Sequence, residues 1–130
     1  MQTVIDCNDS VVAYMSDFQG ALALASRDCA CGGRLKGHGR RFRWVACLEG
    51  ILRVPIQRLV CRACGKTVSL MPRILYAFSQ CARGLADRIR SLWDGGRHAM
   101  SDVRYMLSSR CPGLQLALPS MYRWARLPAG

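Results

Sequence analysis

Cys61-Arg62-Ala63-Cys64-Gly65-Lys66, taken together with Cys29-Ala30-Cys31-Gly32-Gly33, decides how the middle of this chain folds. A Cys-x-x-Cys turn presents two thiolates to one ion, and two such turns complete the four-ligand tetrahedron that zinc prefers. The glycine after the second cysteine of each pair lets the backbone pass beneath the metal at positive φ. The pair Cys29-x-Cys31 is one residue shorter than usual, which tightens its chelate. His38 is the alternative ligand should Cys29 turn away. The expectation is one structural Zn2+ per chain on Cys29, Cys31, Cys61 and Cys64. Four thiolates leave no open coordination position, so this ion is not expected to be catalytic. Cys7, Cys47, Cys81 and Cys111 lack such spacing and are expected to be buried free thiols.

Working outward, residues 40–47 and 51–60 look like strands joined at Leu48-Glu49-Gly50. In the first, Arg41 and Arg43 alternate with Phe42 and Trp44, the period of a half-exposed strand. The aromatics are expected in the core and the arginines outside. Pro55 in the second run points to an edge strand or a bulge. Residues 67–71 supply a third short strand before Pro72. Upstream, within an N-terminal segment of residues 1–26, residues 9–26 read as one helix or two short ones. Asp9 or Ser10 is the N-cap, and Val11, Met15, Phe18 and Leu22 fall at helical spacing. Downstream, Ala82, Leu85, Ile89, Leu92 and Trp93 form an apolar helical stripe that Gly95-Gly96 stops. Ser101 or Asp102 caps a second helix ending at Cys111-Pro112-Gly113. Pro119-Ser120 opens a final one.

Charge narrows the class of partner. The 130 residues include 19 Lys plus Arg against 8 Asp plus Glu, a net charge of +11. All of the basic residues but Lys36 and Lys66 are arginine, whose planar fork matches phosphates and guanine edges. A GC-rich genome gives the same arginine preference, but not the same net charge. Residues 1–26 hold Asp6, Asp9 and Asp17 and no Lys or Arg, which leaves +14 on the remainder. The acidic segment is a packing helix or a docking element for a protein partner. A basic body gains from a polyanion that relieves its self-repulsion. No stretch reaches the ~18 apolar residues of a membrane span, and the N-terminus lacks a basic signal-peptide region. A bacterial cytoplasmic location is therefore expected, with the cysteines serving as metal ligands or thiols rather than disulfides.

The candidate nucleic-acid contacts are Arg40, Arg41, Arg43 and Lys66 in the middle region and Ser120, Tyr122, Arg123 and Arg126 on the last helix. Basic residues interleaved with aromatics suit phosphates and stacked bases. A terminal helix carrying outward arginines suits the major groove, or else caps a small core. Enzyme readings find little support. The acidic residues are dispersed, with no close pair for acid–base or two-metal chemistry, and no glycine-rich phosphate loop is present.

The segment from Cys29 to Leu75, with both cysteine turns, the Leu-Glu-Gly turn, Arg53-Val54-Pro55-Ile56-Gln57-Arg58 and the run from Cys61 to Pro72, resembles the zinc ribbon of bacterial insertion-sequence transposases. It is closest to short mobile-element proteins of that build. Pro119-Ser120-Met121-Tyr122-Arg123-Trp124 resembles the recognition helix of their helix-turn-helix, although the preceding loop is long for that motif. The resemblance implies an α+β fold: a helical segment (1–26), a three-stranded antiparallel zinc ribbon (27–72) and a helix-turn-helix-like three-helix part (73–130). It also implies a non-catalytic, zinc-dependent binder of double-stranded DNA, a mobile-element accessory or regulator without the acidic catalytic domain of transposases. RNA is the alternative ligand. The alternative role is a zinc-ribbon adaptor in an RNA-guided or transposition complex.

Overall fold

Runs rich in β-branched and aromatic side chains extend into two long strands, β2 (Leu35–Cys47) and β3 (Gly50–Cys61). Only Leu48 and Glu49 separate them, and Gly50 takes φ +129, a conformation that favours glycine. So short a connection makes β2 and β3 an antiparallel hairpin. The computed structural model describes residues 2–6, 10–76, 79–111 and 114–128. In it β4 (Thr67–Pro72) pairs antiparallel with β3 through Arg58↔Ser69, Leu59↔Val68 and Val60↔Thr67. Pro55 lies outside that paired stretch, so its missing N–H costs no bond to β4.

The sheet is not the expected three-stranded antiparallel ribbon. A further strand, β1 (Gln2–Ile5), runs parallel to β4 in the register Gln2↔Ser69 to Ile5↔Pro72, giving the order β1-β4-β3-β2. The α+β class holds, but the sheet is four-stranded and mixed. Three of the four β1 residues are exposed, so the segment has no readable alternation and gains its structure from a partner far along the chain. The Arg73 N–H donates to the Ile5 carbonyl at 2.9 Å and extends the pairing.

The chain forms two compact units, and both strands of the hairpin run through each. The first comprises Met1–Arg43 and Val54–Arg73. It carries two short helices, α1 (Val11–Ser16) and α2 (Phe18–Ala23). Ser10 caps α1, its hydroxyl accepting from the Ala13 N–H at 3.1 Å; Asp9 lies outside the described residues. Asp17, at φ −122 and ψ 49, breaks the helical path between the two. Tyr14 is fully buried, donates to the Pro55 carbonyl at 2.7 Å and meets Phe18 edge-on at 5.6 Å.

The second unit comprises Trp44–Arg53 and Ile74–Gly130. Its helices are α3 (Arg83–Trp93), α4 (Met100–Arg110) and α5 (Leu118–Ala125). One apolar cluster takes Leu85, Ala86 and Ile89 from α3, Met100, Val103 and Leu107 from α4, and Met121 and Ala125 from α5. The stop after α3 is not made by glycine alone. Asp94 takes the left-handed C-cap at φ +40, a conformation that short Asx side chains tolerate, and a 3-10 turn over Asp94–Gly96 follows. Helix α4 starts earlier than expected, with Ala99 as its N-cap, so Ser101 and Asp102 fall in the first turn, where Asp102 favours the helix dipole. The C-terminal segment is pinned by Tyr76, whose hydroxyl donates to the Pro128 carbonyl at 2.7 Å, and by Arg90, which donates to the Leu127 carbonyl at 2.6 Å.

Replacing Tyr14 with Phe keeps the ring's volume but strands the Pro55 carbonyl without the buried hydroxyl. Tyr14→Phe should therefore cost about 1–3 kcal/mol of stability, read from the denaturant midpoint of the first unit.

Candidate metal centre

Both cysteine turns are built by backbone hydrogen bonds before any ion is considered. In the first, the Gly32 N–H donates to the Cys29 carbonyl and the Cys29 N–H to the Gly33 carbonyl, each at 2.9 Å. In the second, the Gly65 N–H donates to the Cys61 carbonyl at 2.7 Å and the Cys61 N–H to the Lys66 carbonyl at 2.9 Å. Gly32 and Gly65 sit at φ +92 and +76, left-handed positions that explain both glycines. Gly33 has a different reason. A Cβ there would lie 2.8 Å from the Cys61 sulfur and 2.9 Å from the Ala63 Cβ. Only a residue without a side chain fits beneath the cluster.

These turns bring together the sulfurs of Cys29, Cys31, Cys61 and Cys64, all within 4.8 Å of one another. Cys29 lies 3.6 Å from Cys64, and Cys31 lies 3.5 Å from Cys61. A tetrahedral ion with metal–sulfur bonds of about 2.3 Å separates its sulfurs by about 3.8 Å, so the set fits one structural metal ion. Cys29 takes part despite the shortened spacing. His38 is on β2, outside the cluster.

The thiols perturb one another strongly. The N–H of Cys64, and to a smaller degree the Cys31 thiol and the N–H of Ala63, bring Cys61 down to about 7 against the opposing effect of burial. At Cys31 the Gly33 N–H favours the thiolate, but the thiols of Cys29, Cys61 and Cys64 outweigh it and push the group to about 12. A cluster that ionises so unevenly alone is one whose four thiolates need a cation. Elsewhere, burial pushes Cys47 up to about 11 and Cys81 up to about 12, as unreactive thiols require. Cys111 is half-buried and Cys7 lies outside the described residues.

Arg40, Arg41, Arg43 and Lys66 belong to the first unit, as the four clustered cysteines do. Strand β2 is a sheet edge, and every residue from 36 to 42 is exposed. Arg41 is exposed. Arg40 spans the Phe18 ring at 4.6 Å and reaches Gln57 Oε1 at 3.4 Å, so its guanidinium is already engaged. Arg43 is half-buried; burial, then the charge of Arg41, lower its pKa. Lys66 is exposed, and its carbonyl closes the second turn. Ser120, Tyr122, Arg123 and Arg126 belong to the second unit. Arg123 and Arg126 are exposed, and Arg123 donates to the half-buried Ser120 hydroxyl at 3.0 Å. Tyr122 meets Trp93 edge-on at 5.8 Å.

Phe42 and Trp44 are not core residues, contrary to expectation: they are 46% and 58% exposed. At Phe42 alternation fails to separate core from solvent because the edge strand is open on both faces over residues 36–42, and Trp44 is exposed just before the buried run 45–47. In the second unit Trp44 instead lines a cleft with Ile51 and Trp124, a feature the spacing did not announce. No helix among the described residues is long and apolar enough to cross a membrane. Set beside known protein families, curated proteins and solved structures, the chain returns no match.

Gly33→Ala should lower metal occupancy severalfold, measured by elemental analysis of purified protein, because the new methyl displaces the Cys61 sulfur. Metal uptake should also release nearly one more proton per chain at about pH 6 than at about pH 8, measured in weak buffer. Cys61 is protonated below about 7 and must shed that proton to bind; above it the thiolate is already formed.

Proposed function

We propose that this chain is a non-catalytic, zinc-dependent nucleic-acid-binding protein whose favoured ligand is double-stranded DNA. Zinc is the reading for the metal because a closed set of four thiolates suits it and keeps no position for substrate. Cys29, Cys31, Cys61 and Cys64 would hold it, and its contribution would be folding energy. The observation that carries the ligand class is the charge. Eight acidic side chains cannot neutralise nineteen basic ones, and Arg41, Arg123 and Arg126 stand exposed. Arg41 and Lys66 would take phosphates from the first unit. Arg123 and Arg126, about one turn apart on or beside α5, would reach a groove from the second. A mobile-element accessory or regulator is the role that the resemblance to transposase ribbons implies.

A second reading, an adaptor in a larger nucleoprotein complex, is favoured by one feature of the second unit. Tyr105 is 75% exposed beside an apolar cavity of about 390 Å³ lined by Leu92, Met106 and Leu107, with Arg88 and Arg110 also lining it. Such a surface suits a protein partner.

With about five phosphate contacts, the log–log slope of affinity against salt on duplex DNA should be near −4.5. Arg41→Ala should weaken selected and scrambled duplexes alike and reduce that slope by about one. Arg123→Ala should cost about 1–3 kcal/mol on a selected site and little on a scrambled one, measured by competition titration. Tight binding indifferent to salt would sink the polyanion reading. Absence of duplex binding, with co-purification of a partner protein, would favour the adaptor.

A further inference from the structure

Among the described residues, eight of the second unit line one cleft at the tip of the β2–β3 hairpin and along α5. Trp44 and Ala46 come from β2, Ile51 from β3, and Ser120 and Trp124 from α5. Gln80, Gln115 and Ala117 also line it. Single exposed apolar side chains are ordinary, but here Trp44 (58% exposed) and Ile51 (43% exposed) line the same opening as a second indole. The volume is about 200 Å³, below the ~300–1,000 Å³ of pockets for drug-sized ligands. It has room for one planar ring system.

We infer that this cleft takes a single unpaired base of a DNA strand, stacked on Trp44. The inference rests on the nucleic-acid reading above and adds to it a site for one extruded base. Indole faces stack on any base. The Gln80 and Gln115 amides each offer two donors and an acceptor, the complement of a base edge that has lost its Watson–Crick partner. The Ser120 hydroxyl accepts from Arg123 Nη2 at 3.0 Å, which keeps a cation beside the cleft. Two amides, a hydroxyl and an adjacent cation favour a polar aromatic ring over an apolar peptide side chain, and the net charge of +11 favours one attached to a polyanion. A paired base is not available to the cleft, since its ring edge and faces are covered within the duplex.

The test uses the full-length, metal-loaded chain and two labelled DNA duplexes, one fully paired and one carrying a single bulged base. The chain should bind the bulged duplex about tenfold or more tightly than the paired one, with tryptophan emission quenched on the bulged duplex. Trp44→Ala should weaken bulged-duplex binding by about five- to a hundredfold, the range for losing one base–aromatic stack, and abolish the preference. Its affinity for paired duplex and its metal content should stay unchanged, since Trp44 is largely in solvent. Trp44→Phe keeps an aromatic face and should retain most of the preference. Equal affinity of the unaltered chain for both duplexes, or equal weakening of both by Trp44→Ala, would overturn the cleft while leaving duplex binding standing. Binding of neither duplex by the unaltered chain would overturn the nucleic-acid reading and the cleft with it.

Discussion

Four thiols held within 4.8 Å of one another cannot all ionise unless a cation sits among them, and much of the first unit follows from that constraint. The sequence distance between the two cysteine turns is long, and closing such a loop costs entropy that a small unit recovers poorly from its own core. A metal returns that cost at one point. Bound by the four cysteines, it would tie the loop before β2 to the turn between β3 and β4 and so fix the ends of the strands. The glycines show how tightly the backbone is drawn in. Gly32 and Gly65 supply left-handed turns, and Gly33 is small because a sulfur lies where its Cβ would be.

The second unit is held differently. Its three helices close on one apolar cluster without a clustered set of metal ligands among the described residues. Buried thiols at Cys47 and Cys81 behave there as small apolar side chains, pushed above their ordinary range by desolvation. Its polar bonds hold the C-terminal segment: Tyr76 and Arg90 each donate to a carbonyl beyond α5. One chain thus carries the means for both routes open to small folds, a set of four clustered thiols in one unit and hydrophobic burial in the other.

What could be read from the sequence divides along the same line. The cysteine turns were legible because coordination chemistry fixes both residue type and spacing, and the stripe of α3 because burial imposes a period of 3.6 on Leu85 and Ile89. Strand β1 was not legible: four residues, three of them exposed, carry no period, and their parallel partner β4 is set by tertiary pairing. The caps of α3 and α4 shifted because local rules compete closely there. Asp94 accepts the left-handed position next to two glycines, and Ala99 starts α4 without any side-chain cap. Phe42 and Trp44 were misassigned to the core because alternation shows that a strand has two faces, not that either is covered.

The exposed edge of β2 is where structure and charge meet. An unpaired edge invites pairing with other strands, and folded proteins commonly defend it with positive charge. Lys36, Arg40 and Arg41 on a strand open to solvent over residues 36–42 would serve that defence without any ligand. Arg40 supports this plain account, since its guanidinium is spent on Phe18 and Gln57. Edge defence nevertheless needs only local charge, whereas the excess here extends to Arg123 and Arg126, which lie on or beside the helix α5 and not on a strand. Repelling another strand and attracting a polyanion are the same electrostatic property acting on different partners. A basic edge left open would therefore serve the proposed phosphate contact with the same charges that defend it.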